Sequence, residues 1–287
     1  MNICKVFFIC LVLNIGLTKC TGGDAVADGQ NLLASDYRIF HGTIAWDLAK
    51  AIDGNDREKI IKIVGKNKHL INVVDPKYGQ TLLGLAVYND KYNSCQALVD
   101  LGANPNAPNN YDGKTPLMEA VNIGYADGET DSRLLILLLK HGGNPNNQQK
   151  YIDYSGSHGQ TPLMIACAQG NLSYVKILIN AGADINKNYS THSSLLYSAM
   201  LSDNPDLVMF LIQKGIDFTK PLFITDSGSK EYITESLRTW RFDLGSEKYK
   251  KKMLIVAFLK EHGMDYRKTK IPDYYYDSYD AEYLNKY

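Results

Sequence analysis

Apolar residues recur along this chain with the spacing of a helix, and the same spacing returns from one region to the next. Val175, Leu178 and Ile179 stand at positions i, i+3 and i+4, which places them on one face of a helix. The stripe is repeated by Cys95/Leu98/Val99 and by Val208/Leu211/Ile212. Glycines that can end a helix in the left-handed conformation follow such stripes, at Gly102, Gly142, Gly182, Gly215 and Gly263.

A second, shorter pattern precedes each stripe. Residues 115–120 read Thr-Pro-Leu-Met-Glu-Ala and residues 161–166 read Thr-Pro-Leu-Met-Ile-Ala, with weaker copies at 81–86 and 194–199. A threonine hydroxyl can accept a hydrogen bond from a free amide of the first helical turn. Proline suits the position that follows, where its missing N–H costs nothing. The pattern predicts a first helix in each unit, paired with the second helix that carries the stripe.

The spacing of the units indicates their arrangement. Thr81 to Thr115 is 34 residues, Thr115 to Thr161 is 46, and Thr161 to Ser194 is 33. A single helical hairpin cannot bury its own apolar face, so a period near 33 predicts a stack of hairpins. The long interval carries extra residues, either at 125–131 between two helices or at 148–157 before Thr161.

These motifs resemble the ankyrin repeat family. The phrase Gly-Ala-Asp/Asn-x-Asn that closes a repeat in that family is matched at 102–106 and 182–186, and nearly matched at 142–146. The histidine that the family places after the leucine is absent here. The resemblance covers about residues 39–266. It implies an all-α solenoid of helix-turn-helix units with β-hairpin loops, with five repeats and a sixth unit as a cap, built from helices at 233–237 and 249–259.

The first twenty residues have the shape of an export signal. Lys5 precedes an apolar run at 6–17, which is too short to span a membrane comfortably. The sequence Leu-Thr-Lys-Cys at 17–20 resembles a bacterial lipoprotein box, although Lys19 is larger than the usual residue. We therefore predict a signal peptide at 1–19, a lipid-anchored Cys20, a tether at 20–38, a repeat domain at 39–266 and a tyrosine-rich tail at 267–287. The alternative is a cleaved secretory peptide without lipid.

Composition changes this interpretation little. The chain has 31 basic and 31 acidic residues, and removal of residues 1–19 leaves 29 against 31, so no basic footprint for nucleic acid is present. Cys95 and Cys167 fall on apolar positions two units apart, where buried thiols without a bridge are expected. The six histidines lack the spacing of a metal template, and no Gly-x-Ser-x-Gly motif occurs. We expect no metal, no cofactor and no catalysis.

The resemblance also implies where a partner binds. In the ankyrin family, partners contact the hairpin tips and the exposed side of the first helices. Carried over position by position, this surface comprises Lys77, Tyr78, Gln80, Tyr88, Asn89, Tyr111, Asp112, Lys114, Asn122, Ile123, His158, Gln160 and Gln169. Tyrosine gives a large contact area at a low cost in side-chain entropy. Tyr78 and Tyr111 could equally pack on neighbouring hairpins.

The sequence therefore favours a non-catalytic protein-binding module that is exported, lipid-anchored and placed in a bacterial periplasm or outer membrane. Two other functions stay open. One is a receptor for a small molecule or peptide segment that uses the lengthened loops after Asn122 and Asn147. The other is an enzyme with a site that the sequence does not reveal. The tail holds six tyrosines between 274 and 287, and it could cover the last repeat, remain disordered or serve as a linear partner motif.

Overall fold

The computed structural model describes residues 32–123, 131–150, 159–186, 194–225 and 228–287. Within these residues, twelve helices form six consecutive pairs. The pairs are α1 (Trp46–Asp53) with α2 (Arg57–Lys66), α3 (Leu82–Tyr88) with α4 (Tyr92–Asp100), α5 (Pro116–Ile123) with α6 (Arg133–Lys140), α7 (Pro162–Ala168) with α8 (Leu172–Asn180), α9 (Leu195–Met200) with α10 (Pro205–Gln213), and α11 (Ile233–Thr239) with α12 (Glu247–Glu261).

In the units that carry the repeated motif, the first helix begins where the sequence predicts. The Thr81 hydroxyl accepts from the Gly84 N–H at 2.8 Å, and the Thr161 hydroxyl accepts from the Met164 N–H at 3.3 Å. The Ser194 hydroxyl caps α9 in the same way. Each second helix in the central units ends at a glycine with positive φ, for example 95° at Gly102. Local chemistry therefore sets the helix boundaries.

The helices form two layers. The first helices, here called the inner helices, contact one another in chain order from α1 to α11, while α2, α4 and α6 lie behind them, as do α10 and α12. Leu48, Leu83, Leu117 and Leu163 lie in the core between the layers, each no more than 1% exposed. Neighbouring units thus bury the apolar faces that no single hairpin could bury. The all-α solenoid predicted from the sequence is confirmed.

Short β-hairpins join the units on the side of the inner helices. Val74 pairs with Thr81 in an isolated bridge, and before the last unit β1 (Phe223–Ile224) pairs antiparallel with β2 (Lys230–Glu231). The hairpins also bond to each other, since the Asn110 N–H donates to the Tyr78 carbonyl at 2.8 Å. The tips of these two hairpins therefore lie side by side.

Asparagines connect the opposite ends of the units. The Asn106 amide donates to the Gly142 carbonyl at 2.8 Å, and its oxygen accepts from the Asn144 N–H at 2.7 Å. The same pair of bonds joins Asn146 to the unit of Gly182, and Asn186 to the unit of Gly215. The asparagines of the closing phrases therefore link each of these units to the next.

The tyrosine-rich tail packs on the last unit, the first of the three arrangements left open by the sequence. A short 3-10 helix at Asp273–Tyr275 and helix α13 (Ala281–Lys286) lead to Tyr287, which is fully buried. The Arg238 guanidinium donates to the main-chain oxygen of Tyr287 at 2.8 Å, and the Tyr287 hydroxyl donates to the Arg238 carbonyl at 3.0 Å. The tail therefore covers the open end of the stack, which a terminal repeat requires.

Several sequence predictions lie outside the described residues. They include the signal peptide, Cys20, His158, most of the insertion at 125–131 and most of the lengthened hairpin at 148–157. No helix in the described ranges is long and apolar enough to cross a membrane.

Candidate partner-binding surface

Two buried polar side chains, Asp75 and Asn109, fix the backbone of the hairpin tips on the predicted partner-binding surface. The Asp75 carboxylate accepts from the N–H groups of Lys77, Tyr78 and Gln80, at 2.6–2.8 Å. In the next hairpin, the Asn109 oxygen accepts from three successive N–H groups, those of residues 111–113, each at 3.0 Å. Because these bonds satisfy the turn amides internally, they hold the two hairpin tips in a defined shape.

Tyr78 and Tyr111 come from adjacent hairpins and meet. Their ring centroids lie 5.6 Å apart with an interplanar angle of 90°, which is a favourable edge-to-face geometry. The Lys77 ammonium lies over the Tyr78 ring at 4.7 Å from the centroid. Tyr111 remains 46% exposed, while Tyr78 is half-buried. The alternative in which the two tyrosines pack on neighbouring hairpins is therefore confirmed, and their role in partner binding stays a prediction.

Tyr88 and Asn122 extend this exposed surface along the inner helices. Tyr88, the last residue of α3, is 46% exposed, and Asn122 near the end of α5 is exposed as well. Gln169 after α7 is half-buried and donates to the Asn122 carbonyl at 3.3 Å, which joins two units. Ile123 packs partly against the core, and Gln160 is half-buried.

Two of the predicted surface residues are corrected by the structure. Gln80 is 3% exposed, and its side-chain oxygen lies against Gly84, where a Cβ would clash at 2.4 Å. Asp112 is 7% exposed and forms a 2.7 Å ion pair with Lys114. Both side chains support the hairpins from within, so they are not available to a partner. Their polarity suggested exposure, whereas the turn geometry folds them inward.

Residues 32–35 lie against this surface, although the sequence analysis did not assign them to it. The Leu32 carbonyl accepts from the Tyr78 hydroxyl at 2.6 Å and from the Lys77 ammonium at 3.1 Å. The Ser35 carbonyl accepts from the Asn89 amide at 2.8 Å. Three predicted partner-binding residues are thus engaged by the chain itself. The tether predicted at 20–38 overlaps this packed part from residue 32 onward.

Glu119 on α5 is a buried titratable residue that the sequence analysis does not predict. It is 4% exposed, one of its carboxylate oxygens makes no hydrogen bond in the described part of the chain, and burial raises its pKa to about 7. Lys114 opposes this shift and Asp112 adds to it, both through their charges. A signal existed, since Glu119 occupies the place of Leu85 and Ile165 in the neighbouring copies of the motif.

Cys95 and Cys167 are buried and free, as predicted, and burial raises the pKa of both thiols, which keeps them as neutral hydrophobic groups. In the described ranges no group of three histidine, cysteine, aspartate or glutamate side chains is placed to hold a metal ion.

Comparison with known proteins agrees with this architecture. A family model of ankyrin repeats in three copies matches residues 48–128 and again 125–221, which together cover more than half of the chain. The chain belongs to the ankyrin repeat family. Ankyrin repeats generally mediate protein–protein interaction.

Curated relatives match about half of this chain. The B-cell lymphoma 3 protein homolog of Mus musculus is 30% identical over 144 residues, which are 49% of this chain and 30% of that protein. The nuclear factor NF-kappa-B p105 subunit of Gallus gallus is 28% identical over 165 residues, covering 54% of this chain and 16% of that protein. The chain therefore spans less than a third of the length of these relatives.

Proposed function

We propose that this protein binds another protein along its inner face, meaning the hairpin tips and the exposed side of the inner helices, and that it performs no catalysis. The observation that carries the proposal is the contact between Tyr78 and Tyr111 across two units, with Tyr88 exposed on α3 between the two hairpins. Aromatic anchors at the centre of an interface typically dominate its binding energy.

The rigidity of the surface supports this function. The Asp75 and Asn109 side chains fix the tips before any partner arrives, so little ordering entropy is lost on binding. The neighbouring units also hold the aromatic rings at set distances. The surface is therefore suited to a partner that contacts several repeats at once.

The proposed setting is the cell envelope, with Cys20 as a lipid anchor. It is supported by the short apolar run at 6–17 and the sequence Leu-Thr-Lys-Cys at 17–20. Mass spectrometry of the mature protein should find a lipid-modified Cys20 as its first residue. A mature protein that begins elsewhere and washes off membranes would refute this part of the proposal.

Binding is tested by affinity capture from native membranes with the full chain. Replacing Tyr88 and Tyr111 together with alanine should weaken capture of the partner by about tenfold or more, as expected for aromatic hot spots. The matched control replaces Ser173 and Lys176, which are exposed on α8 behind the inner helices. The proposal fails if the α8 pair abolishes capture and the tyrosine pair leaves it unchanged.

A further inference from the structure

We infer that the part of the inner face formed by Lys77, Tyr78 and Asn89 binds the main chain of an irregular or extended peptide segment, and that residues 32–35 occupy it in this protein. The inference rests on the proposed function and names the class of partner for one portion of the same surface. It also implies that a partner segment must displace residues 32–35 in order to bind there.

The contacts themselves identify the ligand class. All three hydrogen bonds end on main-chain carbonyl oxygens, two on Leu32 and one on Ser35. No side chain of residues 32–35 takes part in these three bonds. Since every peptide carries such carbonyls, the donors recognise a backbone shape rather than a particular sequence.

The donors are held in place before the segment binds. The Asn89 amide also donates to the Leu85 carbonyl at 2.9 Å, which orients it at the end of α3. The Tyr78 ring is held by Tyr111, and Lys77 lies above it. A site whose donors are already oriented loses little entropy when a carbonyl arrives.

The two leucines of the segment differ in a way that adds selectivity. Leu32 is partly buried against the core, whereas Leu33 is 71% exposed. A competing segment would therefore present an apolar side chain beside the carbonyl that Tyr78 and Lys77 bind.

Residues 32–35 are kept close to the inner face by the chain that follows them, but they can leave it. Downstream, Phe40 is fully buried and Ile39 nearly so, which anchors the chain beside α1. The short link from Ser35 to Phe40 keeps the local concentration of the segment high, so it competes in cis with any external peptide. Residues 32–35 themselves are held by three hydrogen bonds to the inner face and by the partly buried side chain of Leu32. A partner with better side-chain contacts can therefore replace them.

The first test uses a fluorescein-labelled synthetic peptide of residues 30–37, titrated against the full chain. Leu32→Asp places a charge in the partly buried position and should release the internal segment while leaving its receptor intact. The peptide should bind this variant about tenfold more tightly than wild type, because the site is no longer occupied. Leu33→Asp, the same change at the exposed neighbour, should behave as wild type.

Adding Tyr78→Phe and Asn89→Ala to Leu32→Asp should then abolish peptide binding. Equal affinity for wild type, Leu32→Asp and Leu33→Asp would overturn the inference, as would binding that survives loss of these two donors. The result does not depend on any partner from membranes. A failed inner-face capture experiment and a failed peptide titration are therefore distinguishable.

A second test needs no peptide. Thermolysin cuts before apolar residues, and the rate of cleavage between Leu32 and Leu33 reports how often the segment leaves the face. Tyr78→Phe with Asn89→Ala should raise this rate about tenfold. The control pair, Tyr92→Phe with Asn93→Ala on outer helix α4, should leave it unchanged. Equal rates in the two double variants would overturn the inference even if Leu32→Asp failed to fold.

Discussion

The central repeats and the last unit are stabilised by different chemistry. Between α3 and α10, apolar stripes fill the core and asparagines join each unit to the next, as at Asn146. The last unit lacks the repeated phrase and is built around Trp240, Tyr266 and Tyr287, all at most 1% exposed. Each internal unit buries its apolar faces against two similar neighbours. The last unit has such a neighbour on one side only, so a segment of different sequence must cover its other side.

The last unit also buries two basic side chains. The Arg238 guanidinium lies 3.9 Å from the centroid of the Tyr266 ring, and the Lys252 Nζ lies 3.4 Å from that of Tyr287. Lys252 also donates to the Trp240 carbonyl at 3.1 Å. Among the described residues, no carboxylate side chain forms an ion pair with either of these two groups. Aromatic faces and carbonyls take the place of an acid here.

The largest expected effect is at the cap. Tyr287→Ala should cost the last unit about 3–5 kcal/mol, the range for truncation of a large buried aromatic side chain. It removes the ring that Lys252 faces and the hydroxyl that bonds to Arg238. Native-state hydrogen exchange should show faster opening of α12 while α3 to α8 keep their protection. Tyr276→Ala, at a position 60% exposed, is the control. Uniform loss of protection in all units would show that the last unit does not open separately from the central repeats.

In the central repeats, Leu178→Ala should cost about 2–5 kcal/mol, because it leaves a cavity at a fully buried position. Denaturant unfolding followed by circular dichroism measures the change. Lys77→Ala at an exposed hairpin tip should stay within about 0.5 kcal/mol. Equal destabilisation by the two changes would show that the apolar register is wrong.

Glu119 should make the central repeats less stable as the pH rises. Its folded pKa of about 7 lies above the ordinary 4.5, so between these values the folded state holds a proton that the unfolded state has released. Its contribution is therefore fully present below pH 4.5 and is lost as the pH rises to 7. Glu119→Gln should flatten the fall in unfolding free energy over this window. An unchanged slope would show that Glu119 does not titrate there.

Lys252 should make the last unit more stable as the pH rises. Burial, with the charges of Arg238 and Arg267, lowers its pKa to about 6 from the ordinary 10.5. Between these values the unfolded state binds the extra proton, so stability rises as the pH increases from about 6. Lys252→Met should remove this rise, measured as the exchange of α12 amides against pH, while the slope that Glu119 produces remains. A slope that survives the substitution would assign it to another group.

The smallest effect is expected in the asparagine links. Asn146→Ala removes the bond to the Gly182 carbonyl and the acceptor for the Asp184 N–H, and it should cost about 1–2 kcal/mol. Asn180→Ala, exposed at the end of α8, is the matched control for thermal unfolding. If both variants melt together with wild type, the links order the turns without stabilising the stack.

The sequence by itself determined the repeating part of this protein. Capping threonines, the stripes at i, i+3 and i+4 and the closing glycines are local signals, and each acts within a few residues of the helix that it bounds. Thr161, Leu178 and Gly182 could therefore be assigned without coordinates. Glu119 stands at a position that is apolar in the neighbouring copies of the motif, but its burial was recognised only in the structure.

Only the tertiary structure decided which polar residues turn inward, what covers the last unit and what occupies part of the inner face. Gln80 and Asp112 are buried because their hairpins fold over them. Leu32 meets Tyr78 across 46 positions and Tyr287 meets Arg238 across 49. Contacts between such distant residues leave no periodic trace in the chain, since they depend on how the stack brings separate segments together. The occupied part of the inner face could for that reason be found only in the folded molecule.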